Sequence, residues 1–197
     1  MEKSITSEFR IIEEPKRPLA MHPKKFAMWL FLGSVLMLFA AFTSAYIVRQ
    51  AEGNWLYFEL PQLFYATTVV ILLSSVTMQW AYFAVKKDNA ETAKIMIALT
   101  TVLGFAFLIG QILGWKDLVQ NSIYFVGNPS GSFLYVLTGL HGLHVVSAIV
   151  YLVIILVSIF RSKVHSRNMA PVEMCATYWH FLGGLWLYLF VFLLLNR

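Results

Sequence analysis

Residues 133–160 read FLYVLTGLHGLHVVSAIVYLVIILVSIF and contain no Asp, Glu, Lys or Arg. A helix needs about 20 apolar residues to cross a hydrocarbon core of about 30 Å. This run is long enough to cross and to tilt, or to protrude at one end. Four further stretches qualify: Phe26–Val48, Phe64–Val85, Ile95–Gly114 and Met174–Leu195. Pro61 and Pro171 stand just before the second and last runs, where proline suits a helix start. The pattern predicts an all-α integral membrane protein, a bundle of five transmembrane helices.

Composition agrees. Of 197 residues, 59% are hydrophobic and 13% charged, against about 45–50% and about 25% in soluble domains. A chain this short cannot bury that much apolar surface in one core, so the excess faces lipid. Two regions follow: a polar tail over 1–24, with no apolar signal-peptide core, and a five-helix membrane domain over 25–197. The net charge of +5 does not point to nucleic acid, because the basic residues sit in short clusters between apolar runs. Cys175 is the single cysteine, which excludes an internal disulfide and a CxxC redox or metal motif.

Twelve of the fifteen Lys and Arg fall on the tail, the second–third loop (Lys86, Lys87, Lys94) and the fourth–fifth loop (Arg161, Lys163, Arg167). The positive-inside rule places these segments and the N-terminus in the cytoplasm, and the C-terminus on the opposite, periplasmic side. The opposite loops, Gln50–Leu60 and Trp115–Gly131, carry Trp55, Tyr57, Trp115 and Tyr124, as an interfacial aromatic belt would. Helix contacts in lipid rely on small and polar residues. Ser34, Thr43, Ser44, Ser74, Ser75, Thr100, Thr101, Thr138, Gly139, Gly142 and Ser147 qualify, and Gly110 and Gly114 form one GxxxG, a weak signal.

Ionisable groups inside a membrane are the default functional candidates. Here they are His141 and His144 in the fourth run, His180 in the fifth and Glu173 at its inner end, with Gln79 and Gln111 adding polarity. His141 and His144 share a helix face. His144 lies about 16 Å from the outer start of its helix and His180 about 9 Å from the inner start of its own. In a core of about 30 Å the two approach in depth, which permits a haem on His144 and His180, or a metal on three histidines. The plainer reading is hydrogen bonding between helices, to backbone, lipid or a partner subunit. Transport is disfavoured by an odd number of continuous spans with no proline-broken segment. The loops are too short for a water-phase catalytic site.

Three stretches together resemble subunit III of the haem–copper terminal oxidases. They are Lys25-Phe26-Ala27-Met28-Trp29-Leu30-Phe31-Leu32, then Thr138-Gly139-Leu140-His141-Gly142-Leu143-His144, then Glu173 followed by Tyr178-Trp179-His180-Phe181 and Leu185-Trp186-Leu187. The resemblance runs from about residue 22 to the end and is to the short, five-helix bacterial form, which lacks two N-terminal helices of the longer version. It implies a non-catalytic, lipid-binding subunit of a respiratory cytochrome c oxidase in the bacterial inner membrane. Haems and copper would belong to partner subunits, among them the catalytic subunit I, whose proton uptake it would support. Phospholipid would be bound here. It implies that Trp29, His141, His144, Glu173, Tyr178, Trp179, His180 and Trp186 serve lipid or subunit contacts, with no metal or catalytic residue. The likeness also extends to subunit III-like proteins of quinol oxidases and nitric-oxide reductases. Three family carboxylates are replaced, at Val35, Gly114 and Gly183, which favours a scaffold over a proton relay.

Overall fold

The computed structural model describes residues 23–161 and 169–196. Five helices account for most of them: α1 (Pro23–Ala51), α2 (Gln62–Lys86), α3 (Ala90–Gln120), α4 (Pro129–Phe160) and α5 (Ala170–Leu195). Each is long and apolar enough to cross a membrane, so the predicted number of spans holds. Each also outruns its predicted span. An apolar run measures hydrocarbon thickness, whereas the helix continues until its last turn finds other partners for its backbone groups. Asn89 ends the α2–α3 turn by accepting from Thr92 N, and Asn128 starts α4 by accepting from Ser130 N, with Pro129 in the first turn.

The extensions correct two expected loops. α1 runs through Gln50 and Ala51, and α3 runs through Trp115 to Gln120. Trp115 is therefore a helix residue, and its indole donates to Thr138 Oγ1 at 3.0 Å. Trp55 is half-buried against Tyr46 at 4.6 Å, while Tyr57 and Tyr124 are exposed. Pro23 and Lys24, expected in the tail, open α1. The remainder of that tail, Lys163, Arg167 and Arg197 lie outside the described residues.

α2, α3, α4 and α5 close a ring in which each helix packs on two others. α1 stands outside it, against α4 and α5 alone. It buries one stripe, Leu32, Val35, Phe39, Thr43 and Tyr46, at intervals of three and four residues. The other faces of α1, with Trp29, Leu30, Met37 and Val48, are exposed. α1 and α5 run parallel. Lys25 meets Glu173 near their starts, and Tyr46 Oη and Gln50 Nε2 both donate to Asn196 O at their ends.

α2 is the polar hub of the ring. Thr67 Oγ1 accepts from Gln111 Nε2 at 3.0 Å, and Thr77 shares a 2.8 Å hydrogen bond with Thr100, both toward α3. Toward α5, Thr68 and Ser74 accept from the indoles of Trp186 and Trp179. The GxxxG pair is a genuine contact: a Cβ on Gly110 would overlap Thr67, and one on Gly114 would overlap Phe64. Close backbone approach of this kind gives helix packing a dispersion advantage that apolar contact with lipid does not.

Candidate functional site

The α4 motif holds two histidines in different settings. His141 is fully buried, with ring centres of Phe39, Phe107 and Trp186 at 6.4, 5.8 and 5.2 Å. Neither of its ring nitrogens meets a hydrogen-bonding protein atom. His144, one turn later, is half-buried, and its Nδ1 lies 2.7 Å from Leu140 O. A carbonyl only accepts, so Nδ1 carries the proton and Nε2 is left available.

The α5 motif spreads its polar tips over three helices. Glu173 Oε2 pairs with Lys25 Nζ on α1 at 2.6 Å. Tyr178 Oη meets Ser147 Oγ on α4 at 2.7 Å. On α2, Trp179 Nε1 donates to Ser74 Oγ at 3.1 Å, His180 Nε2 lies 3.1 Å from Gln79 Oε1, and Trp186 Nε1 donates to Thr68 Oγ1 at 2.9 Å.

This arrangement sorts the expected site residues. His141, Trp179 and Trp186 are enclosed by neighbouring helices, where they make helix contacts. Tyr178 is nearly as enclosed. These four fasten the bundle to itself. Trp29 is exposed, and His144, Glu173 and His180 are partly exposed, so these retain a free side. His144 and His180 are tied to separate elements, the backbone of α4 and Gln79 of α2. Among the described residues no three His, Cys, Asp or Glu side chains come together in a metal-holding group. The three-histidine reading thus lacks its geometry.

Two grooves flank α1. One, of about 620 Å³, lies between α1 and α5 and is lined by Leu36, Ala40, His180, Phe181, Gly184 and Tyr188, among others. The second, of about 880 Å³, lies between the end of α1 and the start of α4. Its floor is Ala41, Ala45 and Phe133, and its rim carries Arg49, Glu52 and Asn128. Ala40 and Gly184 line the first, and Ala41, Ser44 and Ala45 of α1 line the second. The chemistry on offer is an apolar trough, and in the second case one ending in a charged rim. That suits a long amphiphile.

The comparisons with known proteins agree with the motifs. The family described as Cytochrome c oxidase subunit III matches residues 54–196. The chain belongs to that family. Curated relatives named cytochrome c oxidase subunit 3 include one from Alkalihalophilus pseudofirmus, 30% identical over 89% of this chain and 88% of its own length. One from Bacillus sp. (strain PS3) is 26% identical over 96% and 94%, and one from Corynebacterium diphtheriae is 28% identical over 82% of each. With five apolar helices, the family member is a multi-pass membrane protein and a subunit of an oxidoreductase complex.

Packing fills the three positions, Val35, Gly114 and Gly183, at which the resemblance led to an expectation of carboxylates. Val35 is buried in the α1 stripe. Phe64 occupies the space next to Gly114, and Ser75 Oγ would lie 3.1 Å from a Cβ on Gly183. Of the small polar residues read as helix contacts, Thr43, Ser74, Thr100, Thr138 and Ser147 do reach neighbouring helices, whereas Ser34 and Thr101 bond back to their own helix. Sequence reading passed over Thr67, Thr68 and Thr77. Their signal was a clustering of hydroxyls with Ser74 and Gln79 on one helix, visible as polarity but not as partners.

Proposed function

We propose that this oxidase subunit is a non-catalytic scaffold that holds phospholipid in the two grooves beside α1. One observation carries the reading. The polar tips of the α4 and α5 motifs are mostly spent on the bundle itself, while the concave surface around α1 is apolar with a charged edge. Such surface takes acyl chains with a polar head group at the rim, beside the Arg49–Glu52 ion pair. His144, Glu173, His180 and Trp29 are the motif residues positioned for lipid or partner contact. Haems and copper reside in partner subunits, including the catalytic subunit I, whose proton uptake this scaffold supports.

The Lys and Arg distribution supports an orientation in a bacterial inner membrane with the N-terminal tail before α1 cytoplasmic and the C-terminus periplasmic. The test is affinity capture of this chain from gently solubilised membranes, followed by native mass spectrometry. Haem-bearing oxidase subunits and retained phospholipid are expected on the complex. Recovery of the chain alone, free of both, refutes the proposal.

A further inference from the structure

We propose that the α2–α5 ring encloses an ordered water site between His141 of α4 and Gln111 of α3. Among the described residues, four buried side-chain nitrogen and oxygen atoms find no protein partner, and three of them are His141 Nδ1, His141 Nε2 and Gln111 Oε1. The fourth, the indole nitrogen of Trp55, belongs to the loop after α1. His141 is 0% exposed and Gln111 2%.

Contacts on either side of Gln111 bring it toward the level of His141 in the ring. Phe107, one turn before Gln111, meets the His141 ring edge-on at 5.8 Å. Trp115, one turn after Gln111, donates to Thr138, which lies one turn before His141. Gln111 therefore sits between two α3 side chains that both reach the Thr138–His141 stretch of α4. Thr67 Oγ1 gives its own proton to Phe64 O at 3.1 Å, so it accepts from Gln111 Nε2 and leaves Oε1 as the bare end.

Leaving such atoms unmatched forfeits their solvation, and native buried polar groups are matched, by water where protein does not reach. His144 shows the alternative, with its Nδ1 on the carbonyl one turn back. The His141 ring does not make that bond, and the contacts of Phe39, Phe107 and Trp186 hold it where it stands. A neutral imidazole has one N–H and one bare nitrogen, whereas Gln111 Oε1 only accepts. The group that joins them must both accept and donate. Water accepts from the ring N–H and donates to Oε1, with its second proton left for another acceptor. A cation is unsuited, because among the described residues no group of three His, Cys, Asp or Glu gathers to offset the burial of charge.

The test uses the intact oxidase complex in lipid nanodiscs. A density map sharp enough to show internal waters should hold a peak within hydrogen-bonding distance of both Gln111 Oε1 and a His141 ring nitrogen. Independently, solid-state NMR on ¹⁵N-histidine protein should show magnetisation passing from water protons to the His141 ring nitrogen, assigned by loss of the signal in His141→Phe. In Gln111→Leu that transfer should fall several-fold. A dry His141 ring, or a direct His141–Gln111 hydrogen bond with no density between them, overturns the proposal. If either variant fails to assemble, the density map and the water transfer in the native protein decide it alone.

Discussion

Lys25 Nζ lies 2.6 Å from Glu173 Oε2, joining the first turns of α1 and α5 across 148 residues of sequence. The side chains are 32% and 44% exposed, so the pair counts as a surface ion pair of about 0–1 kcal/mol. Its value is positional, because among the described helices α1 packs on α4 and α5 alone, and this pair ties its first turn. Glu173→Lys should shift thermal inactivation of the complex by no more than a few degrees yet speed protease cleavage near the start of α1. The double swap Lys25→Glu with Glu173→Lys should restore the native cleavage rate. Equal cleavage in all three proteins would show that the pair does not hold α1.

Close helix approach at Gly110 and Gly114 predicts a graded result. Gly110→Leu and Gly114→Leu drive bulk into Thr67 and Phe64, and overpacking of this kind costs about 1–3 kcal/mol. Gly33→Ala has open space around its new methyl and should be neutral or slightly stabilising, since helix propensity favours Ala by about 1 kcal/mol. Unfolding of the detergent-solubilised subunit followed by tryptophan fluorescence ranks the three.

Trp186 separates packing from hydrogen bonding. Trp186→Phe removes the donor to Thr68 Oγ1, and an interhelical bond in a membrane averages about 0.6 kcal/mol. Trp186→Ala also empties the centre of the Phe64, Phe107 and His141 ring cluster and should cost about 3–5 kcal/mol. Denaturant titration of both variants should return a gap of several-fold between them. Similar losses would mean that the hydrogen bond, and not the ring, dominates.

Lipid occupancy can be read directly. Gly184 lines the α1–α5 groove and has nothing within 4 Å of an added Cβ. Gly184→Phe should fill that groove without forcing the core apart and lower the phospholipid retained per complex in native mass spectrometry. Gly33→Phe, equally open but outside both grooves, serves as the control and should retain the native amount.

A Gly183→Asp variant probes whether this position has room for a carboxylate. Its Cβ would press on Ser75 Oγ, so the single change should destabilise the complex. Adding Ser75→Gly should recover part of the loss, as a shift in thermal midpoint. No recovery would place the obstacle elsewhere than at Ser75.

The sequence by itself determined the number of helices, their order and the apolar lengths between them. Crossing a membrane is a one-dimensional property: about 20 apolar residues suffice, and the helix satisfies its own backbone. The motifs around His141, His144 and His180 also carried the family likeness without any structure. What they left open was direction. A helix that is apolar all round has no stripe to mark its inner face, because lipid is as apolar as the core. Only the tertiary structure decided that His141, Trp179 and Trp186 point inward, that Gly110 and Gly114 form a true contact, and that α1 stands outside the ring with a groove on either side. Those outcomes depend on how each helix is rotated against residues far away in sequence. Rotation is set by the fit of side chains such as Phe64 on Gly114 and by partners such as Ser74 for Trp179, which spacing along one chain segment does not encode.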